Sequence, residues 1–177
     1  MVTEDPAGAE HLERLAARMD AEVRAEQAAY EAMALQAERR ARTLADVAAE
    51  LVVRGDVVEV VAGREVMTGT AVHAGRDHMT LRAARGDVDL PLAGLTRLRV
   101  VDRVRAGGQS PRRGAKTFRA RMTEHETAGV VVVVALDDGE QVRGVIAAAA
   151  EDHLLIASRH GDVVVPHPSV RAVWVPR

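Results

Sequence analysis

Residues 77–100 read DHMTLRAARGDVDLPLAGLTRLRV, and residues 152–175 read DHLLIASRHGDVVVPHPSVRAVWV. The two stretches align without a gap at an offset of 75 residues, and the alignment extends back to Gly69 and Gly144. Nine of the 32 aligned positions are identical. Because self-similarity at a fixed spacing marks a structural unit that is used more than once, the sequence predicts two copies of one unit.

Turn and strand signals predict that each unit is built from short antiparallel strands. The Gly-Asp pairs at 86–87 and 161–162 indicate hairpin turns, because glycine adopts positive φ without strain. Pro91 and Pro166 indicate strand ends, because proline cannot donate to a sheet ladder. Gly69 falls inside a strand and predicts a bend or bulge there.

Alternation and β-branched residues give five strands for each copy. The strands predicted for the first copy are Val57–Val61, Glu65–Ala74, His78–Ala83, Val88–Leu92 and Leu95–Val101. Those predicted for the second copy are Val130–Leu136, Gln141–Ala149, His153–Ser158, Val163–Pro166 and Val170–Val175. The valine run that opens the second copy is expected to be covered, because an exposed edge of this kind promotes aggregation.

The N-terminal part of the chain is predicted to be helical. From Ala9 to Arg42 there is no Pro or Gly, and strong helix formers dominate. Its narrow apolar stripe favours a coiled coil or antiparallel pair with another helix, with packing on the chain's own barrels as the alternative. The candidate residues of an oligomer interface are Leu12, Leu15, Met19, Val23 and Tyr30.

Two shorter helices are expected to precede the strands. Thr43 followed by Asp46 resembles a capping box, and it opens a helical stretch that ends before Gly55. Phe118 and Met122 mark one or two helical turns before the strands of the second copy. The predicted domains are an N-terminal helix (1–42), a first barrel with its leading helix (43–101), a basic linker (102–117) and a second barrel (118–177).

Composition narrows the class of protein. Hydrophobic residues make up 47% of the 177 residues but aromatic residues only 2%, so any core is aliphatic. The absence of cysteine excludes disulfides, thiolate metal sites and cysteine nucleophiles. The N-terminal stretch lacks the features of a signal peptide, and no apolar run reaches the length of a membrane span. We therefore expect a soluble, cytoplasmic protein with no membrane contact.

A helix followed by five short antiparallel strands resembles the small β-barrel of Sm-like proteins, which is related to SH3-like barrels. Residues 136–139, Leu-Asp-Asp-Gly, followed by Gly144 are similar to the Sm signature of a Leu-x-x-Gly hairpin with a second glycine five residues on. Gly144 with Asp152, and Gly69 with Asp77, correspond to the family's glycine in strand two and aspartate before strand three. The resemblance implies a mainly β fold of two tandem five-stranded barrels behind a long helix.

The chain departs from the Sm pattern in two ways. The interval from glycine to aspartate is longer than in the family, and the Arg-Gly pair that forms one wall of the Sm RNA pocket is absent from both copies. The resemblance therefore implies a fold but does not carry over the RNA pocket. The layout also resembles that of uncharacterised actinobacterial proteins, which implies no activity.

His78 and His153 occupy equivalent positions, and each follows an aspartate. The pair suggests a metal or proton-transfer site, but the competing interpretation is a turn aspartate that caps the next strand, with the histidine at a sheet edge. The other histidines are not equivalent between the copies (His11, His73, His125, His160 and His167). We therefore expect no catalytic residue, no metal site, no cofactor and no enzymatic activity.

The linker is the one region with a strong charge bias. Residues 102–121 contain seven basic residues against the single acid Asp102. Such a segment suits binding of a phosphate backbone without sequence preference, and the competing interpretation is a solvated linker whose charge offsets the acidic remainder of the chain. The candidate nucleic-acid contacts are Arg103, Arg105, Arg112, Arg113, Lys116, Arg119 and Arg121.

The sequence therefore favours a non-enzymatic binding module that forms a homodimer. The first hypothesis is a regulator associated with RNA or DNA, which it contacts through the linker and barrel loops. The alternative is a scaffold for protein interactions that assembles through the N-terminal helix and the barrel edges.

Overall fold

A computed structural model describes residues 6–104 and 114–176, with side chains from residue 18 onward. The chain divides into two compact units, Met1–Arg42 and Thr43–Arg177. The first unit is the helix α1 (Pro6–Ala41), which is 36 residues long. The molecule is thus mainly β, with an N-terminal helix ahead of an antiparallel sheet.

The second unit contains two helices that begin and end as their caps dictate. Helix α2 (Leu44–Arg54) starts at Thr43, where the predicted capping box with Asp46 forms: the Asp46 amide donates to Thr43 Oγ1, and the Thr43 amide donates to the Asp46 carboxylate. Helix α3 (Phe118–Ala128) starts at Thr117, whose hydroxyl accepts from the Ala120 amide. Both helices end at a glycine with positive φ.

Ten strands follow the predicted order. The strands of the first repeat are β1 (Val57–Ala62), β2 (Glu65–Ala74), β3 (His78–Ala83), β4 (Gly86–Pro91) and β5 (Arg97–Asp102). The strands of the second repeat are β6 (Val131–Leu136), β7 (Gln141–Ala149), β8 (His153–Ser158), β9 (Gly161–Pro166) and β10 (Val170–Trp174). A short 3₁₀ helix separates the fourth and fifth strands of each repeat, at Leu92–Gly94 and His167–Ser169.

The ten strands form one continuous open sheet. Its order is β5-β1-β2-β3-β4-β10-β6-β7-β8-β9, so the strand order within the two repeats is the same. The repeats are joined where β4 pairs with β10, at Val88↔Trp174 and Asp89↔Val173. Strands β5 and β9 are left at the two edges. Because the sheet is not closed, the expected pair of barrels is not confirmed.

Two aliphatic cores lie on the sheet. The core of the second repeat collects Phe118 and Met122 of α3 with side chains of its own strands. The core of the first repeat also contains four residues of the second: Val133, Ala135, Ala172 and Trp174. The surface between the repeats is therefore a hydrophobic interior shared by both. Val132, Val133 and Val134 of the valine run are buried, as predicted, whereas Val131 is 41% exposed.

The repeated glycines serve close backbone approach. A Cβ on Gly69 would lie 2.5 Å from the carbonyl oxygen of Arg82, and one on Gly144 would clash with the carbonyl oxygen of Ala157. The bulge expected at Gly69 occurs farther along β2, where the register shifts between Ala71 and His73. Only glycine allows the neighbouring strand to approach so closely, and the extra bulge residue then bends the strand.

The turn predictions are confirmed. Gly86 and Gly161 have φ of 114° and 116°, so each opens its strand in a conformation that glycine favours. Pro91 and Pro166 are the last residues of β4 and β9.

Candidate functional site

A buried polar cluster lies between the two repeats. Asp89 on β4 is fully buried, and its carboxylate accepts from Thr80 Oγ1 at 2.7 Å. On the other side it contacts two residues of α3: Arg121 Nε at 2.9 Å and His125 Nε2 at 2.8 Å. Arg121 also donates to Glu124 at 2.7 Å. The cluster therefore ties the sheet of the first repeat to the helix of the second.

The charges in this cluster are mutually stabilised. Burial opposes ionisation of Asp89, but the hydrogen bond with His125 and the charge of Arg121 hold the pKa of the carboxyl below its usual value. Burial likewise opposes the charge of Arg121, and Asp89 together with Glu124 raises the pKa of the guanidinium. Asp89 is thus an ionised carboxylate whose oxygens are occupied by protein donors, which suits a structural tie between elements.

A row of rings runs along the junction of the repeats. The His73 and His78 ring centroids lie 5.3 Å apart, those of His78 and Phe118 6.4 Å apart, and those of Phe118 and His167 5.9 Å apart. His73 Nε2 lies 2.8 Å from the carbonyl oxygen of Ala115. Four rings from both repeats therefore surround the start of α3.

His78 is buried, which corrects the expectation that it lies at a sheet edge. Strand β3 is internal to the sheet, and its first four residues, 78–81, are all buried. Nδ1 of His78 lies 3.3 Å from the Asp77 carboxylate, while Nε2 has no hydrogen-bond partner among the described residues. Burial lowers the pKa of His78 despite Asp77, so the ring is neutral at neutral pH.

The sequence suggested that Asp77 caps the amides of the following strand, but it does not. Its carboxylate accepts from the Phe118 amide at 2.6 Å, at the first turn of α3. A carboxylate is favourable there because the amides of a first helical turn lack partners within the helix. The carbonyl of Asp77 accepts from Leu92.

The equivalent pair in the second repeat is open to solvent. His153 Nδ1 lies 2.6 Å from the Asp152 carboxylate, and this hydrogen bond lowers the pKa of Asp152. His167 lies in the row of rings, where burial lowers its pKa, whereas His160 is exposed in the turn before β9. Residues 18–104 and 114–176 contain no group of three or more histidines and carboxylates that could hold a metal ion.

The basic candidates of the linker have different surroundings. Arg105, Arg112 and Arg113 lie outside the described residues. Arg121 is engaged by Asp89 and Glu124, and Arg119 donates to the carbonyl of Ala149 at 3.4 Å. Arg103 and Lys116 are exposed. Among the described candidates, therefore, only Arg121 is engaged by carboxylates.

The interface candidates on α1 that can be examined are exposed. Leu12 and Leu15 fall in the part of the helix whose side chains are not described, whereas Met19, Val23 and Tyr30 are exposed, Tyr30 by 74%. Met33, which the sequence reasoning did not select, is also exposed and continues the stripe one turn beyond Tyr30.

An open groove in the second repeat was not foreseen. It has a volume of about 640 Å³ and lies between β7, the turn after β8 and the start of β9. Val142 and Val163, which pack on the core of the second repeat, form its apolar floor. The exposed Arg143, Arg159 and His160 form its rim, and Val145 also lines it. A difference between the copies could have indicated the groove from the sequence. Arg143 and Arg159 of the second repeat replace Thr68 and Ala84 of the first.

The comparisons with known proteins identify no family. No model of a known protein family matches the chain, and no curated protein matches it. None of the described helices is long and apolar enough to cross a membrane.

Proposed function

We propose that the protein is a non-enzymatic assembly module in which α1 pairs with α1 of a second copy. The observation that carries this proposal is the stripe of large apolar side chains on α1. At 36 residues the helix is about 54 Å long, and the described side chains from residue 18 to its end at Ala41 are all exposed. Most of the stability of helices in proteins comes from packing of their apolar face, so a partner that covers the apolar stripe stabilises α1.

The spacing of the stripe favours another helix as the partner. Met19, Val23, Tyr30 and Met33 follow the alternation of three and four residues that a coiled-coil seam requires, with Glu26 at the intervening position. A second copy of α1 presents the same narrow stripe, so the interface is self-complementary in a twofold dimer. In this arrangement α1 is the assembly element, and each copy contributes one ten-stranded unit.

We also propose that each repeat is an Sm-like or SH3-like small barrel unit. The two repeats have the same strand order, each has a short helix before its first strand, and the glycine at 69 or 144 permits close approach of the next strand. Superposition of an experimentally determined structure on small barrels tests this assignment. A poor match of the second and third strands would contradict it.

Association with a nucleic acid is the second candidate function. The linker supports nucleic-acid binding less than the sequence suggested, because Asp89 and Glu124 neutralise Arg121. The observation that favours it lies in the second repeat, where Arg143 and Arg159 have no acidic partner among the described residues and stand beside an apolar groove. Uncompensated arginines next to an apolar surface suit a ligand that has both phosphate and a ring.

Sedimentation equilibrium of the full chain tests the assembly. We expect the mass of two chains of 19.0 kDa, and the mass of one chain when Val23 and Tyr30 are both replaced by Glu, because the seam then buries charge. Ala21→Glu with Ala28→Glu is the matched control, since both positions lie on the opposite face of the helix. A wild-type chain that stays monomeric, or a seam variant that assembles like the control, would contradict the proposal.

A further inference from the structure

The open groove of the second repeat has a filled counterpart in the first. In the first repeat, Met67 and Val88 pack in one cluster with Trp174 of β10, and Arg85 lies over the indole at 4.7 Å from the ring centroid. Trp174 is the direct partner of Val88 in the sheet. At the offset of 75 residues, Met67, Arg85 and Val88 correspond to Val142, His160 and Val163.

All three corresponding residues line the open groove. No strand lies beside β9 within the described residues, so nothing occupies the place that Trp174 takes in the first repeat. In the first repeat the group at this place is a flat aromatic ring that stacks beneath a cationic side chain. The groove of the second repeat has an imidazole, that of His160, at the position of the cation.

A second copy of the chain is a poor occupant of the groove. A copy that docked as β10 does would present β5, where Arg97 and Arg99 stand in place of Ala172 and Trp174. Both arginines are held by Glu59, at 3.2 and 3.1 Å. Arg99 would then lie opposite Val163 and bring a further positive charge to a groove lined by Arg143 and Arg159, and like charges brought together across an interface are unfavourable.

The charge at the groove instead fits an anion. In the first repeat the cation over the ring is neutralised, because Arg85 contacts Glu65 at 3.2 Å. In the second repeat no carboxylate lines the groove. Arg159 Nε donates to His160 Nε2 at 2.9 Å, which holds the two side chains side by side. The other guanidinium nitrogens of Arg159 contact no carboxylate among the described residues. The rim thus offers two guanidinium groups for a phosphate.

We propose that this groove is the binding site of a nucleotide, either free or as part of a single-stranded nucleic acid. The base occupies the place equivalent to that of the Trp174 indole, on Val142 and Val163 and next to His160. Arg143 and Arg159 bind the phosphate. A volume of about 640 Å³ is within the range of small-molecule sites. This inference deepens the second candidate function and is independent of assembly through α1.

Isothermal titration calorimetry of the full chain tests the site with three probes: adenosine monophosphate, a short single-stranded RNA and inorganic phosphate. We expect one site per chain for the mononucleotide, with phosphate alone at least about tenfold weaker because it cannot use the apolar floor. RNA that binds more tightly than the mononucleotide by about tenfold or more identifies the nucleic acid as the source of the ligand, and equal affinity per site identifies the free nucleotide.

Three variants decide whether binding occurs in the groove. Arg143→Glu is expected to weaken binding at least about tenfold, and Val163→Trp is expected to abolish it by filling the groove as Trp174 fills the first. Arg76→Glu, at another exposed arginine that is not part of the groove, is the control for the same change in charge and is expected to leave binding unchanged. Circular dichroism confirms that each variant is folded.

Three results would overturn the proposal. They are no binding of either the mononucleotide or the RNA at millimolar concentration, equal affinities in the Arg143 and Arg76 variants, and phosphate binding as tightly as the mononucleotide. Sedimentation of the same samples reports the state of α1 separately, so a failure of the groove is distinguishable from a failure of assembly.

Discussion

At the scale of single residues, Asp89 is the most consequential polar group that the structure describes. Its position in β4 corresponds to Val164 in β9, which is exposed at the sheet edge. The carboxylate is present only in the first repeat, where Arg121 and His125 of the second repeat bind it. The sequence did not reveal this, because the three residues are 32 and 36 positions apart and belong to different copies.

Replacement of Asp89 by Asn is expected to lower the free energy of unfolding by about 3 kcal/mol at pH 7, because it leaves Arg121 without its buried partner. The pKa of Asp89 is depressed in the folded state, so its contribution is fully present above the unfolded pKa of about 3.9 and is lost as the pH falls through the folded value. Urea unfolding at pH 7 and below pH 4 checks both points.

The matched control for this prediction is Asp87→Asn, which removes a partly exposed ion pair with Arg82. It is expected to cost less than about 1 kcal/mol. Equal losses in the two variants, or a gap between wild type and the Asp89 variant that persists at low pH, would refute the account of the buried cluster.

His78 gives the protein a pH dependence of the same sign by a different route. Burial lowers its pKa in the folded state, so between that value and the ordinary value of about 6.5 the unfolded chain binds more protons. Stability is therefore expected to fall as the pH decreases from 7 to 5. In His78→Gln this fall should be smaller, since residue 78 then no longer titrates in the range, whereas His167, whose pKa burial also lowers, keeps its own contribution. Thermal or urea unfolding across the range measures it, and an unchanged slope would contradict the assignment.

At the scale of secondary-structure elements, more of the structure could be predicted from the sequence than at the scale of single residues or of the whole molecule. Strand β2 was predicted as Glu65–Ala74 and β3 as His78–Ala83, and both are observed with these bounds. Turn glycines and strand-ending prolines act locally, so their effects can be read from neighbouring residues. The bulge beyond Gly69 was misplaced because its position depends on how closely the next strand approaches, which is a tertiary property.

The element that joins the repeats was not predicted. Val170–Val175 was predicted as the last strand of the second repeat, with no indication of how the repeats pack, and the observed β10 pairs with β4 and places Trp174 in the core of the first. The residue pattern of a strand does not indicate with which other strand it will pair.

Trp174→Ala is therefore expected to destabilise the whole ten-stranded unit, by about 3 kcal/mol or more, because it empties a place within the shared core. Val164→Ala, at the free edge of the sheet where the side chain is 60% exposed, should cost less than about 0.5 kcal/mol. Chemical denaturation followed by circular dichroism compares the two. Similar losses would mean that Trp174 does not hold the repeats together.

At the scale of the whole molecule, duplication has produced two units with different surfaces. The same position in the sheet is filled by an indole in the first repeat and left open between basic side chains in the second. The charged strand β5 at one edge and the basic rim near β9 at the other do not complement each other. We therefore expect that copies do not associate through these edges, and that the proposed assembly forms through α1.

Cysteine cross-linking tests the assembly through α1 most directly, because the natural chain contains no cysteine. Val23 lies at the middle of Pro6–Ala41, so it faces its own copy in either a parallel or a fully overlapping antiparallel pair. Val23→Cys is expected to form a disulfide-linked dimer under mild oxidation, whereas Ala28→Cys, on the opposite face, is not. Tyr30→Cys should cross-link only if the helices are parallel. A Val23→Cys chain that cross-links no faster than the Ala28→Cys chain would contradict the account.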